Sequence, residues 1–258
     1  MTAFKRAIVR PPAANFAQGL TSVDLGTPDV SLALEQHARY CAALEQCGLT
    51  LTRLPDDARF ADSTFVEDTA ILTDRCAILT RPGAASRAGE VAAIEPAVRA
   101  NFSRIHQIQA PGTLDGGDVC QVEEHFFIGI SERTNEQGAR QLAAILAQEG
   151  FTSTAIDIRG VNGILHLKSG ISYLGDQRLV LIDALAGRAE FAGYEIVRIA
   201  AEENYAANFL RINDRVIVSA GFPRFEARVR DFGHRIVALD MSEFRKMDGA
   251  LSCLSLRF

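Results

Sequence analysis

An α/β fold built from repeated units is predicted, on three observations. Strand-like apolar runs alternate with amphipathic helical stretches along the whole chain. The order hairpin, helix, strand recurs about five times, and its spacing of roughly 50 residues is in the range of propellers and solenoids. The units share pattern and very little sequence. A ring of such units would point the inner ends of its strands at one central site, where residues far apart in the chain can meet. The 258 residues are 48% hydrophobic, enough for a sizeable core; the length suits one large domain or two small ones, and the repeated pattern is taken as a single domain (1–258) of five pseudo-repeats.

Each element has a local reason. Ala7–Arg10 reads as a strand stopped by Pro11-Pro12, and 13–28 as a long polar loop, a candidate lid. Leu32–Cys47 carries Leu34, Ala38, Cys41 and Leu44 on one stripe, with Gly48 as its stop. Leu49–Leu54 follows as a strand. Phe65–Leu72 and Cys76–Thr80 pair across Thr73-Asp74-Arg75. Ala88–Asn101 is helical, with Pro96 expected to break or kink it. Val119–Val122 and Phe126–Ile130 form a hairpin, and Glu136–Glu149 is a helix with Leu142, Ile145 and Leu146 inward. Phe151–Ile158, Leu165–Leu167, Ser172–Leu174 and Leu179–Ile182 read as strands, Leu185–Phe191 as a short helix and Ile196–Ile199 as a strand. Strand Arg215–Ser219, helix Arg224–Phe232, strand Ile236–Leu239, helix Ser242–Met247 and strand Leu251–Leu256 complete the chain.

The net charge is −5 and no Lys/Arg-rich block occurs, which argues against nucleic acid and suits a cationic small molecule. The five cysteines include no Cys-x-x-Cys, so they are no disulfide framework. No signal-like or membrane-spanning apolar run is seen, and a cytoplasmic setting that keeps thiols reduced is expected. No histidine pairs at metal-ligand spacing and no phosphate-loop glycine pattern occurs, so neither a metal nor a cofactor is expected.

The chemistry centres on Gly112–Asp118, Gly-Thr-Leu-Asp-Gly-Gly-Asp, where Asp115 and Asp118 bracket a Gly-Gly pair. Two glycines let the backbone turn sharply and pass close to a ligand. His166 alternates with Leu165 and Leu167, and faces away from both on a strand. Taken alone, His166 reads equally well as a structural histidine and Cys253 as a buried core thiol. An acid, a histidine and a cysteine together are the parts of a thiol nucleophile with a positioned proton carrier. Glu67 and Asp68 lie in an apolar run read as a strand, which would send them to opposite faces. Either one is solvated and the other pairs with an arginine, or one of them holds a cationic substrate group. Arg87 and Arg133 end polar loops and have the planar fork that suits a carboxylate.

Several runs jointly resemble the guanidine-modifying (pentein) superfamily, and within it the dimethylarginine dimethylaminohydrolase family. They are Phe65-Val66-Glu67-Asp68, Thr80–Ala84 through Ser86-Arg87, Leu114–Asp118, Gly129–Ser131 through Arg133–Asn135, Leu165–Ser169, Ala206–Asn208, and Met247–Gly249 through Ser252-Cys253. The resemblance implies a five-bladed α/β propeller of ββαβ repeats around a central active site. It also implies hydrolysis of Nω-methylated arginines to citrulline and a methylamine. By motif, Cys253 is then the nucleophile, His166 the general acid/base and Asp115 its orienting acid. Arg87 and Arg133 match positions for the substrate carboxylate. Asp62, with main-chain oxygens near Leu20 and Met247, matches the α-amino site. Asp68 matches the guanidinium anchor, with Glu67 beside it.

The nearest alternative is deimination of unmethylated arginine, whose family pattern has Asp two residues after the catalytic His, where this chain has Lys168. A non-catalytic amino-acid-binding protein would not need Cys253, His166 and Asp115. The expected partner is a small-molecule methylarginine, without nucleic acid or membrane; a homodimer is the assembly considered.

Overall fold

A computed structural model describes residues 3–258. The chain divides into two compact units, one of Glu67–Ala207 and one of the residues before Glu67 together with Asn208–Phe258. Among the described residues, five three-stranded sheets carry both, and all are built alike. An antiparallel pair is followed by a third strand lying parallel to the middle one.

The first unit holds three sheets: Ala70–Leu72, Ala77–Leu79 and Ile105–Gln107; then Val119–Val122, His125–Ile130 and Thr152–Asp157; then Ile171–Gly175, Arg178–Leu181 and Glu195–Arg198. A parallel third strand needs a crossover. Helices Glu90–Arg99 and Glu136–Gln148 supply it in the first two sheets, and irregular chain with the 3-10 turn Ala189–Phe191 in the third. The second unit has Leu210–Ile212, Arg215–Ser219 and Arg235–Leu239, crossed by helix Pro223–Asp231. Its other sheet is Ser255–Arg257, Arg6–Val9 and Thr50–Arg53, crossed by helix Val30–Gln46. There the first strand of the pattern comes from the far end of the sequence, Ala7 pairing with Arg257 and Ile8 with Leu256. The fivefold recurrence is therefore real, with one repeat divided between the chain ends.

The helices form where capping and burial agree. Asp29 accepts the Ser31 and Leu32 N–H groups at 2.8 and 3.1 Å, and Gly48 leaves Val30–Gln46 at φ +91°. Asn135 accepts the Gly138 N–H at 2.8 Å and starts Glu136–Gln148. That helix buries Leu142 and Leu146 completely, in a core with Ile78, Ile128, Phe126 and Phe151. Among the described residues no helix is long and apolar enough to cross a membrane.

Several predicted elements are corrected. Pro96 lies inside helix Glu90–Arg99 without ending it. The lost hydrogen bond is offset by burial of Val91, Ile94 and Val98. The expected strand Phe65–Leu72 survives only as Ala70–Leu72, preceded by a 3-10 turn at Val66–Thr69. Leu165–Leu167 is no strand: His166 is extended and caps the 3-10 turn Leu167–Ser169. Leu251–Leu254 is likewise a 3-10 turn, so Cys253 precedes the last strand instead of lying within it. Of Leu185–Phe191 only the 3-10 turn Ala189–Phe191 is helical. Strands Ile105–Gln107 and Leu210–Ile212 were not expected; both are three residues long, and the first hides in a polar run.

The core of the first unit should answer to cavity formation. Leu142→Ala is expected to destabilise the protein by about 2–5 kcal/mol, read as a lower urea midpoint at unchanged slope.

Candidate active site

The Gly-Gly pair behaves as its sequence implies, and the close neighbours are parts of the protein itself. Asp115 is extended and Gly116–Asp118 form a 3-10 turn. A Cβ on Gly116 would lie 2.0 Å from the Glu67 carbonyl oxygen, and one on Gly117 2.6 Å from His166 Nδ1. Neither distance is tolerable, so the two glycines are what lets the Glu67 main chain and the His166 ring pack here. His166 Nε2 lies 3.0 Å from Asp115 Oδ2. The other Asp115 oxygen accepts the Gly83 N–H at 2.8 Å, and the Asp115 N–H donates to Thr134 Oγ1 at 3.1 Å. The acid that orients the imidazole is thus itself held on three sides.

Burial alone would lower the His166 pKa. The charges of Asp68 and Asp118 and the hydrogen bond and charge of Asp115 overcome it and raise His166 to about 9. At neutral pH the ring is an imidazolium whose Nε2–H donates to Asp115. Asp68 shows the converse: burial pushes its carboxyl up, but His166, Arg87 and the Gly117 N–H at 2.7 Å prevail and bring it to about 2.

Glu67 and Asp68 do not alternate across a strand, because their turn is 3-10; they diverge toward different cations. Asp68 Oδ2 is 2.5 Å from Arg87 Nη1, and Glu67 Oε1 is 2.5 Å from Lys168 Nζ. Both acids are buried. Arg87 is buried too, and its fork also donates to Glu90 at 2.7 Å. The guanidinium expected at a substrate carboxylate therefore already carries two acids. Glu90 was missed by sequence reasoning, since Arg87 ends a loop and Glu90 opens the following helix, and only the fold joins them. Arg133 lies in the 131–134 loop, its N–H donating to Ser131 Oγ at 3.0 Å.

The second unit holds the remaining expected residues. Cys253 is partly exposed, whereas Cys41, Cys47, Cys76 and Cys120 are buried. Burial pushes Cys41 up to about 11 and Cys120 to about 12, making them inert thiols. The expectation that Cys253 alone reads as a buried core thiol is thus corrected. Its turn is pinned by Asn208, which accepts the Ser252 N–H at 3.0 Å and donates to Ser252 Oγ at 2.9 Å. Arg257 donates to the Ser252 carbonyl at 3.1 Å. Asn208 stood in a motif run with no role read for it, since only the fold brings it to Ser252. Asp62, buried, accepts the Leu20 N–H at 3.0 and 3.2 Å. The position of a Cβ on Gly19 lies 2.4 Å from Asp62 Oδ1 and 3.2 Å from Met247 Cε, so the Asp62 and Met247 side chains both approach the main chain beside Leu20. In the 13–28 loop, Phe16 is fully buried against Phe65 and Phe244, while Leu20, Val23 and Leu25 are exposed.

Two sets of potential metal ligands occur among the described residues. Asp68, Asp115 and His166 are one; Cys76, His106 and Glu149, which no spacing in the sequence revealed, are the other. In each, arginine already supplies positive charge: Arg87 to Asp68, Arg104 to Glu149 at 2.7 Å.

A family model described as arginine deiminase matches residues 62–198. An N(G),N(G)-dimethylarginine dimethylaminohydrolase of Pseudomonas aeruginosa is 46% identical over 99% of this chain and 100% of its own. A solved structure of a cysteine-to-serine variant of that organism's enzyme, complexed with citrulline, superposes with a TM-score of 0.97 at 45% identity, covering 100% of each chain. A histidine-to-glycine dimethylarginine dimethylaminohydrolase, as an adduct with S-methyl-L-thiocitrulline, gives 0.96 at 45% identity over 99% of this chain and 100% of that one. On this full-length similarity, the chain belongs to the dimethylarginine dimethylaminohydrolase family.

Proposed function

We infer that this protein hydrolyses Nω-methylated arginines, asymmetric dimethylarginine and monomethylarginine, to citrulline and dimethylamine or methylamine. The observation that carries this reading is the buried His166 ring, bonded to Asp115 at 3.0 Å with Asp68 and Asp118 close by. Five buried acids, Glu67, Asp68, Glu90, Asp115 and Asp118, stand against Arg87, His166 and the nearly buried Lys168. The formal excess of two negative charges favours a cationic ligand such as a guanidinium.

The guanidinium carbon is a poor electrophile because resonance spreads its charge. Asp68, with Glu67 beside it, keeps the group cationic and oriented. Arg133 takes the α-carboxylate, Arg87 stays with Asp68 and Glu90 and fixes the Asp68 carboxylate in place, and Asp62 with the main chain of Leu20 and Met247 takes the α-amino group. Cys253 attacks as thiolate, forming a C–S bond. As the C–N bond to the methylated nitrogen breaks, His166 gives its proton to the departing amine. A Cys253 thiouronium remains. His166, now neutral, takes one proton from water as its oxygen attacks the same carbon; the C–S bond then breaks to return thiolate, the remaining proton of the added oxygen passes to solvent, and neutral citrulline leaves. One residue serves first as acid and then as base. A 13–28 lid would hold water out until the amine has left. The five unbridged cysteines support a reducing, cytoplasmic setting, and a homodimer is the proposed assembly.

Deimination of unmethylated arginine is the second reading, favoured by the family model over 62–198. Against it stands Lys168, whose ammonium neutralises Glu67 where a further carboxylate clamp would be needed. A citrulline assay across arginine, monomethylarginine and asymmetric dimethylarginine decides. Methylated substrates are expected to turn over faster; faster turnover of free arginine overturns the choice.

Cys253→Ser should lower citrulline formation on the order of 10⁴-fold or more, with no mass adduct on the protein, whereas wild-type activity in that variant removes the thiol from the mechanism. The proton on His166 gives a pH signature. With its pKa raised to about 9, the acid form is essentially complete below about pH 8 and is lost as pH rises through about 9. An alkaline limb in kcat/KM near pH 9 is expected. Asp115→Asn, which removes one supporting charge, should move that limb to lower pH and cut kcat by about 10²-fold.

A further inference from the structure

Asp118, the second acid of the Gly-Gly motif, enters the account above only through its charge, yet it is fully buried and its hydrogen bonds run to two parts of the site. One oxygen, Oδ1, accepts the Leu167 N–H at 2.9 Å, the peptide immediately after His166. The other, Oδ2, accepts the Ser131 hydroxyl at 2.6 Å. Ser131 Oγ in turn accepts the N–H groups of Arg133 and Thr134 at 3.0 and 3.1 Å. A hydroxyl has one proton to donate and two lone pairs, and here all three are used. Thr134 closes the circuit, its hydroxyl accepting the Asp115 N–H at 3.1 Å. A single carboxylate thus ties the backbone that carries the proton donor to the loop that carries Arg133.

We propose that Asp118, acting through Ser131, is a positioning residue that fixes the His166 turn and the Arg133 loop relative to one another. A substrate gripped by its α-carboxylate then presents its guanidinium to the imidazolium in one register. This rests on the functional reading above, in which Arg133 takes the carboxylate and His166 the proton transfer. The two arms of the network predict different kinetics. Ser131 serves the Arg133 loop and leaves the bond from Asp118 to Leu167 in place. Asp118 serves both.

The test compares asymmetric dimethylarginine with its decarboxylated analogue, which has the same guanidinium and no carboxylate to grip. Ser131→Ala is expected to raise KM for dimethylarginine by about threefold to tenfold, the loss of roughly one hydrogen bond's worth of positioning. Its kcat should stay within about twofold, and KM for the analogue should not move. Asp118→Asn keeps an acceptor for Leu167 but cannot accept the Ser131 proton. It should show the same KM rise and, because the compensating carboxylate charge beside the His166 turn is gone, a fall in kcat on both substrates of about tenfold. An equal loss on both substrates in Ser131→Ala would indicate general destabilisation and overturn the proposal, as would wild-type kinetics in either variant. Should Asp118→Asn fail to fold by circular dichroism, the substrate contrast in Ser131→Ala decides alone. Absence of citrulline formation by the wild type would instead strike the functional reading, and the positioning role with it.

Discussion

The structure of the first unit turns on keeping one charged imidazole away from water. His166 is buried beside Asp115, Asp68 and Asp118, and each of those acids has its own further partner. Desolvating so many charges is costly, and mutual attraction repays it only where geometry is close and the remaining lone pairs are bonded. That condition explains why the surroundings are so fully specified. Gly83 and Gly117 present N–H groups, Thr134 and Ser131 present hydroxyls, and Arg87 is held from its other side by Glu90. Removing any one member leaves another buried and uncompensated.

The same condition shapes the backbone. Glu67, Asp68, Gly116–Asp118, His166 and Cys253 all lie in or beside single 3-10 turns placed just before a strand. A regular strand would commit its N–H and C=O groups to a ladder and alternate its side chains between faces. A tight turn at the strand entrance frees N–H groups, such as those of Gly117 and Leu167, to bind carboxylates. The repeating sheets supply rigid strands, and the turns leading into them supply the polar groups.

Much of this was legible in the chain. Helices Val30–Gln46 and Glu136–Gln148 were readable because periodicity, caps and stop residues agree. The fivefold order of hairpin, helix and strand was readable because each unit must bury its own apolar face. The Gly-Gly pair announced a close approach, though not that His166 and Glu67 are what approaches. The strand assignments failed at Phe65–Leu72, Leu165–Leu167 and Leu251–Leu256, where apolar residues flank the reactive ones. There the apolar pattern reflects burial in general, and periodicity over so few residues does not separate a turn from a strand.

Residue chemistry is local, so the sequence by itself determined which groups are available: one Asp-Gly-Gly-Asp turn, a histidine among leucines, five cysteines without disulfide spacing, and motif runs sufficient to indicate the family. Protonation, pairing and exposure depend on neighbours that are distant in the chain, and only the tertiary structure decided those. It left Cys253 partly exposed while burying the other four cysteines, gave Lys168 to Glu67 and Arg87 to Asp68, and surrounded His166 with the acids that keep it charged. Coulombic and desolvation energies are set by separation in space and by the dielectric around each group, and neither can be read from position along a chain.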